Sequence, residues 1–381
     1  MNYITAFFDF LKYCLGSKED MSKVIAGMDW RKLYSFASRQ AILGLCFDGI
    51  ERLGKEYPEE LRLNPIGREL LMSWMGKAQQ ICRQNMKVNV VASKLYSMLR
   101  ENGFRCCILK GQGNALMYSN PYSRTPGDVD VWVNASREEI TEYAKCHFKL
   151  EDDIRFHHLE TTLDGVPVEL HFFPCTMNNP IYHARLQKWF RRNVDLQCSH
   201  ILELPDGAGE IAVPTLAFNV IYQLCHLYHH FFDEGIGMRQ IIDYYYVVIS
   251  DYLLVINDES LGIRDTLHRE LKHIGLWKFA GAVMYVLHEV LELPEEKMIA
   301  PMDEKRGKLL LAEILNGGNF GRYFTKYGHF TQQGMAKKYF LKIWRNMHFV
   351  RYYPAEALSE PIFRTWHFFW RLRWDFTYRL R

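Results

Sequence analysis

The sequence predicts an α+β protein in which a small mixed sheet with its own helices sits between amino-terminal and carboxyl-terminal helical segments. Three observations predict it. Apolar residues recur every three or four positions over about the first hundred residues. The period shortens to two in runs between residues 104 and 171, and helical spacing returns from about residue 212. The chain accordingly divides into residues 1–100, helical; 101–211, an α/β core; and 212–381, helical. At 381 residues, 48% hydrophobic and 24% charged, it has the composition of a globular protein with a sizeable core.

The first stretch, "MNYITAFFDFLKYCLGSKED", has no basic start ahead of an apolar core, and Phe7, Phe8, Leu11 and Leu15 recur with helical spacing. It reads as a first helix, not a secretion signal. Helical patterns continue to residue 102, punctuated by Pro58 and Pro65. "FRCCILKG" (104–111) is then a short β run ending in glycine, and "GDVDVWV" (127–133) is a second. Ser136 and Glu139 stand in capping-box spacing, so a helix follows. "FHHLETTLDGVPVELHFF" reads as two strands around Asp164-Gly165, a dipeptide suited to the positive φ angles of a tight hairpin. Further on, "VPTLAFNVIYQLCHLYHHFF" and "MRQIIDYYYVVISDYLLV" predict an antiparallel helix pair joined by "DEGIG". Asp243 and Asp251 interrupt the most apolar stretch, which does not read as a membrane span.

Composition excludes several classes. A net charge of +3 is too small to argue for nucleic acid by itself. Nine cysteines without a C-x-x-C pair exclude a zinc ribbon or redox dithiol, and they suit reduced thiols in a cytoplasmic protein. From Met335 to Arg381, ten Lys or Arg face three acids. On a helical projection Phe363, Trp366, Phe369, Trp370 and Trp374 gather on one side, with Arg364, Arg371 and Arg379 opposite and Arg373 breaking the pattern. That is an amphipathic helix docked on its own protein, an interfacial helix, or a strip for RNA or another polyanion.

The chemistry concentrates in "RTPGDVDVWV". Residues two apart on a strand share a face, so Asp128 and Asp130 project together while the valines pack behind. Two ionised carboxylates so close repel unless a cation lies between them. A hard divalent ion, Mg²⁺ or Mn²⁺, meets that need with oxygen ligands, and Glu169 in "VPVELHF" supplies a third carboxylate. Upstream, "LKGQGNALMY" (109–118) reads as a strand ending in a glycine turn that opens a helix, which offers backbone N–H groups to a phosphate. Lys110 adds a point charge and Arg124 a bidentate donor.

The run strand–Gly–helix, then Asp-x-Asp, then an acidic residue on a later strand resembles the DNA polymerase beta-type nucleotidyltransferase superfamily. More narrowly, "ILKGQGNALMY…RTPGDVDVWV…VELHF" followed by "HLYHHFFDEGIGMRQIID" resembles an uncharacterised bacterial nucleotidyltransferase family. The resemblance implies that Asp128 and Asp130 bind two metals and that Glu169 completes the first and assists proton removal. It implies that Gly111 lies beneath the phosphates of an NTP, ATP by default. Many superfamily members carry Ser or Gly-Ser after that glycine; here Gln112 and Gly113 stand instead, so Lys110, Arg124 or backbone amides must hold the phosphates.

The expected activity is metal-dependent transfer of a nucleoside monophosphate to a hydroxyl of a small molecule, protein or RNA, with release of pyrophosphate. The alternative is a binding module that kept the fold without efficient chemistry. Neither a Walker-type loop nor a kinase catalytic loop is present, which argues against γ-phosphate transfer. His226 and His230 lie four apart on a predicted helix and Arg239 and Asp243 four apart on the next. They either pack between helices or put His226, His230 and Arg239 over the cleft. His171 shares a face with Glu169, whereas His157 and His158 read as sheet residues.

Overall fold

Amphipathic spacing in the first hundred residues produces six helices: α1 (Tyr3–Cys14), α2 (Ser22–Ala26), α3 (Trp30–Arg39), α4 (Leu43–Glu56), α5 (Pro58–Leu63) and the long α6 (Arg68–Glu101). The computed structural model describes residues 3–17, 20–150, 155–250, 260–324 and 335–379. The core follows as β1 (Cys106–Leu109), α7 (Gly111–Ala115), β2 (Val129–Val133), α8 (Arg137–His147), β3 (His158–Leu163), β4 (Val166–His171), α9 (Pro180–Ser199), β5 (Ile201–Leu204) and β6 (Gly209–Ala212). The carboxyl-terminal helices are α10 (Leu216–Asp233), α11 (Met238–Ile249), α12 (Ser260–Ile274), α13 (Trp277–Leu291), α14 (Glu304–Gly317), α15 (Met335–Met347) and α16 (Pro354–Arg379).

Four strands form a mixed sheet in the order β1-β2-β4-β3, while β5 and β6 pair separately. β1 runs antiparallel to β2. β2 runs parallel to β4, as a connection through α8 and β3 permits. β3 and β4 form the hairpin predicted at Asp164-Gly165, whose φ values of +50° and +73° are those a two-residue turn requires. The capping box at α8 is present in both directions, with the Ser136 hydroxyl accepting from Glu139 N–H and Glu139 accepting from Ser136 N–H.

Helices bury the sheet and fix the loops around it. Trp132, two residues beyond Asp130, stacks on Phe218 of α10 at 5.9 Å between ring centres, so α10 covers the acidic face. On α6, buried Asn85 donates to the carbonyls of Tyr122 (3.0 Å) and Arg124 (2.8 Å), which pins the loop ahead of β2. Gln40 ties the terminal segments together, donating to Ile314 O at 3.0 Å and accepting from Met238 N–H at 2.8 Å. Phe7, Leu109, Val131, Phe231 and Val283 belong to one continuous apolar core spanning all three sequence segments.

The last helix departs from the projected pattern. Phe363, Trp366 and Trp370 pack around Phe156 at 6.1, 5.0 and 5.5 Å between ring centres. Phe369, about 100° round the helix from Trp370, faces outward and is 63% exposed. Arg364 does not stand free on the far side: it pairs with Asp233 at 3.1 Å and with Glu360. A helix docked on its own protein is the arrangement found. Asp251 and the side chains of Trp374 and Arg379 lie outside the described residues. No single described helix is long and apolar enough to cross a membrane. The nine cysteines are free thiols, and only Cys146 is exposed.

Candidate functional site

Parallel pairing of β2 with β4 sets Asp130 directly beside Glu169, and the antiparallel hairpin sets Glu160 beside Glu169 in turn. Register partners share a face, so Asp130, Glu169 and Glu160 form an acidic row across three strands. Of the predicted Asp-x-Asp pair only Asp130 is a strand residue. Asp128 sits in the extended segment just ahead of β2 and is exposed at the cleft, whereas Asp130 is 4% exposed. Both aspartates, Glu169, Lys110 and Gly111 line one cleft of about 770 Å³.

Lys110 ends β1 in an unusual backbone conformation, with φ +49° followed by Gly111 at +42°. A lysine there is strained by about 1–3 kcal/mol. That turn delivers its ammonium 3.1 Å from Asp130 Oδ1 and 2.7 Å from His226 Nε2. His171 Nε2 lies 3.0 Å from Asp130 Oδ1 and 3.1 Å from Glu169 Oε2. Asp130, Glu169 and His171 together offer ligand atoms within 4.8 Å of one another.

The electrostatics follow from this geometry. Burial opposes the Asp130 charge, but Lys110 and His171 overcome it and hold the carboxyl below its usual range. Burial pushes Glu169 up to about 7, with the Asp130 charge adding to the rise against the His171 hydrogen bond. Enclosure of its carboxyl by the surrounding cleft walls, with the Asp130 charge, also raises Asp128, although the residue as a whole is exposed. His171 resists burial through its bonds to Asp130 and Glu169, which carry it to about 9. Lys110 is raised in the same way: burial opposes its charge, and Asp130, Asp128 and Glu169 outweigh burial. Burial, with Lys110 nearby, pushes His226 and His230 well below the usual imidazole range, and burial takes His158 down to about 4. One ammonium and one imidazolium therefore stand against the carboxylates.

Three predicted phosphate donors are placed differently. Arg124 is not a free bidentate clamp: its Nε and Nη2 donate to Asp243 at 2.8 and 2.7 Å. Only Nη1 of that cleft-lining guanidinium is left without a hydrogen-bond partner. The Gln112 amide is buried and bonded to Asn89, and a Cβ on Gly113 would press on Val213 at 3.0 Å. Helix α7 is a single turn of five residues, so it presents a turn's backbone N–H groups rather than a long helix dipole. Arg239 does not join Asp243 by a hydrogen bond; its Nη1 donates to Thr125 O at 3.0 Å, and it lines the cleft with His226 and His230.

Two residues at the site escape the sequence reading. Glu160 pairs with Arg155 at 2.8 Å and His158 at 3.2 Å. His158 is the sheet residue expected, in β3, and from there it turns its Nδ1 to within 3.2 Å of Glu169 Oε2. The hairpin turn held the signal, because a two-residue turn at 164–165 places residue 160 opposite 169 and 158 opposite 171. A further pair, Asn114 and Gln223, exchanges hydrogen bonds of 2.9 and 2.7 Å and locks α7 to α10 beside the cleft.

No curated protein matches the chain. Among solved structures, an antigenic nucleotidyltransferase-like protein from Paracoccidioides brasiliensis is 14% identical, over 57% of this chain and 94% of that one, at a TM-score of 0.29. So low a score carries no weight for the fold. A profile of the family described as "Uncharacterised nucleotidyltransferase" matches residues 26–292. That stretch runs from the amino-terminal helices through the acidic row to the end of α13, and the chain belongs to this nucleotidyltransferase family.

Proposed function

We propose that the chain moves a nucleoside monophosphate from an NTP to a hydroxyl acceptor and releases pyrophosphate. The observation that carries this reading is the in-register placement of Asp130 beside Glu169 on parallel strands, facing a cleft that also holds Asp128 and Lys110. The donor set fits a divalent ion: Asp130 and Glu169 converge, with His171 Nε2 bonded to both carboxylates, and Asp128 stands at the rim. Carboxylate oxygens of this kind suit Mg²⁺ or Mn²⁺. Bound there, two such ions would stabilise charge on the transferring phosphoryl and on the departing pyrophosphate.

The chain's own residues supply the rest. Lys110, 3.1 Å from Asp130 at the cleft, carries the ammonium that would meet the triphosphate oxygens. The Gly111 turn lets the phosphates approach the backbone. Glu169 accepts the proton of the acceptor hydroxyl. His226, His230 and Arg239 form the opposite wall from α10 and α11, where they exclude water and meet the nucleotide or acceptor. ATP is the default donor. An RNA or other polyanionic acceptor is less favoured than the basic composition suggested, since Lys342, Arg345 and Arg364 all engage acidic partners within the fold.

A second reading, nucleotide binding with little transfer, is favoured by the commitment of Arg124 to Asp243 and of Gln112 to Asn89. One experiment separates the two. The protein is incubated with α-³²P-labelled NTP, Mn²⁺ and cell lysate beside an Asp130→Asn variant. Label passing to an acceptor with wild type alone supports transfer; saturable NTP binding with no transferred label supports the module.

A further inference from the structure

We propose that the cleft carries a second metal site, built from imidazole nitrogens rather than carboxylate oxygens, in which His157, His158 and His171 hold a transition ion of the Zn²⁺ class. Ring nitrogens of the three histidines come within 4.8 Å of one another. Tetrahedral ligation with Zn–N bonds of about 2.0–2.1 Å puts ligand nitrogens about 3.4 Å apart. Closure of the set therefore shortens each nitrogen–nitrogen separation by about 1.4 Å at most.

Orientation is the stronger argument. A metal-binding histidine is normally held by a carboxylate on its other ring nitrogen, which fixes the tautomer and leaves the ligating lone pair free. His158 meets Glu160 through Nε2 at 3.2 Å, and His171 meets Asp130 and Glu169 through Nε2 at 3.0 and 3.1 Å. The Nδ1 atom of each is buried without a hydrogen-bond partner, in side chains only 4% exposed. His158 Nδ1 lies 3.2 Å from Glu169 Oε2, but not in hydrogen-bonding alignment. Leaving two such atoms unsatisfied is unfavourable; one ion taking both lone pairs, with release of the His171 Nδ1 proton to solvent, removes the penalty. His157 supplies the third nitrogen from the segment entering β3, with its ring centre 4.2 Å from that of His158 and 5.7 Å from that of His171.

Ligand chemistry separates this site from the carboxylate one. Imidazole selects Zn²⁺, Co²⁺, Ni²⁺ or Cu²⁺, whereas Mg²⁺ keeps to oxygen. The inference does not rest on nucleotidyl transfer, because it is read by metal binding alone.

The test is titration of the metal-stripped full chain with Co²⁺, followed by visible absorption and by calorimetric competition with Zn²⁺. Wild type is expected to take up Co²⁺ with the intense bands of a low-coordinate nitrogen site. His157→Ala and His158→Ala should each weaken uptake at least tenfold, and Asp128→Asn should leave the bands in place. Circular dichroism establishes that each variant is folded, and retained Mn²⁺ binding in His158→Ala, read by electron paramagnetic resonance, shows the carboxylate site intact. Two results overturn the proposal. One is Co²⁺ bands unchanged in both histidine variants. The other is uptake lost in Asp128→Asn but kept in the histidine variants, which would place the ion on the carboxylates.

Discussion

Replacing Asp243 with alanine tests what Arg124 is for. Asp243 accepts from Arg124 Nε at 2.8 Å and Nη2 at 2.7 Å, and from the Tyr118 hydroxyl at 2.8 Å. Both charged side chains are nearly sealed, at 5% and 7% exposure. Asp243→Ala leaves the Arg124 cation buried without its counter-ion and beside Arg239, a second buried cation. Breaking one partner of a buried pair costs about 3–5 kcal/mol, and the orphaned Tyr118 hydroxyl keeps the loss at the upper end of that range. The damage should also reach the site, because Arg124 begins the segment that carries Asp128.

Urea unfolding followed by circular dichroism and tryptophan fluorescence measures the loss. The triple variant Arg124→Met, Asp243→Leu, Tyr118→Phe, which removes the three hydrogen-bonded partners together and leaves Arg239 on Thr125 O, should recover to within about 2 kcal/mol of wild type. Refutation would be an Asp243→Ala protein within about 1 kcal/mol of wild type that binds NTP markedly worse. Arg124 would then be a phosphate donor first and a structural residue second.

Two further outcomes follow from the same reasoning. Burial pushes the Glu356 carboxyl from its ordinary 4.5 to about 7, although it accepts the backbone N–H groups of Asn178 and Asn179. The folded state then holds a proton that the unfolded state releases, so this group's contribution to stability falls as pH rises from about 4.5 to 7 and is level beyond. At about 1.4 kcal/mol per pH unit, Glu356→Gln should gain about 3 kcal/mol on wild type between pH 4.5 and pH 8; a difference constant with pH in paired urea titrations contradicts this. Lys110→Ala removes the ammonium 3.1 Å from Asp130. It should raise Mn²⁺ affinity without nucleotide about tenfold and lower NTP affinity by a similar factor, both read by Mn²⁺ resonance titration; unchanged Mn²⁺ affinity would show that Lys110 does not neutralise the carboxylates.

Local rules made much of this protein legible. Asp164-Gly165 specified its hairpin, Ser136 and Glu139 their helix, and strand alternation the shared face of Glu169 and His171. Arithmetic about the hairpin turn would also have delivered Glu160 and His158 to the site. Contacts between distant segments were beyond it. That Arg124 meets Asp243, 119 residues on, depends on how α11 lies against the loop before β2. That Asp128 leaves the strand depends on where pairing with β1 ends, at Leu109 opposite Asp130. The outward turn of Phe369 followed from Phe156, which docks only one flank of α16.

The proposed convergence of Asp128, Asp130 and Glu169 on divalent ions is tested most directly by anomalous diffraction from crystals grown with Mn²⁺ and a non-hydrolysable NTP. Manganese peaks are expected, bound by Asp130 and Glu169 and by Asp128 and Asp130, with the triphosphate running past Lys110 over the Gly111 turn. Manganese absent from all three carboxylates while the nucleotide is bound, or a triphosphate lodged away from Gly111, would contradict it.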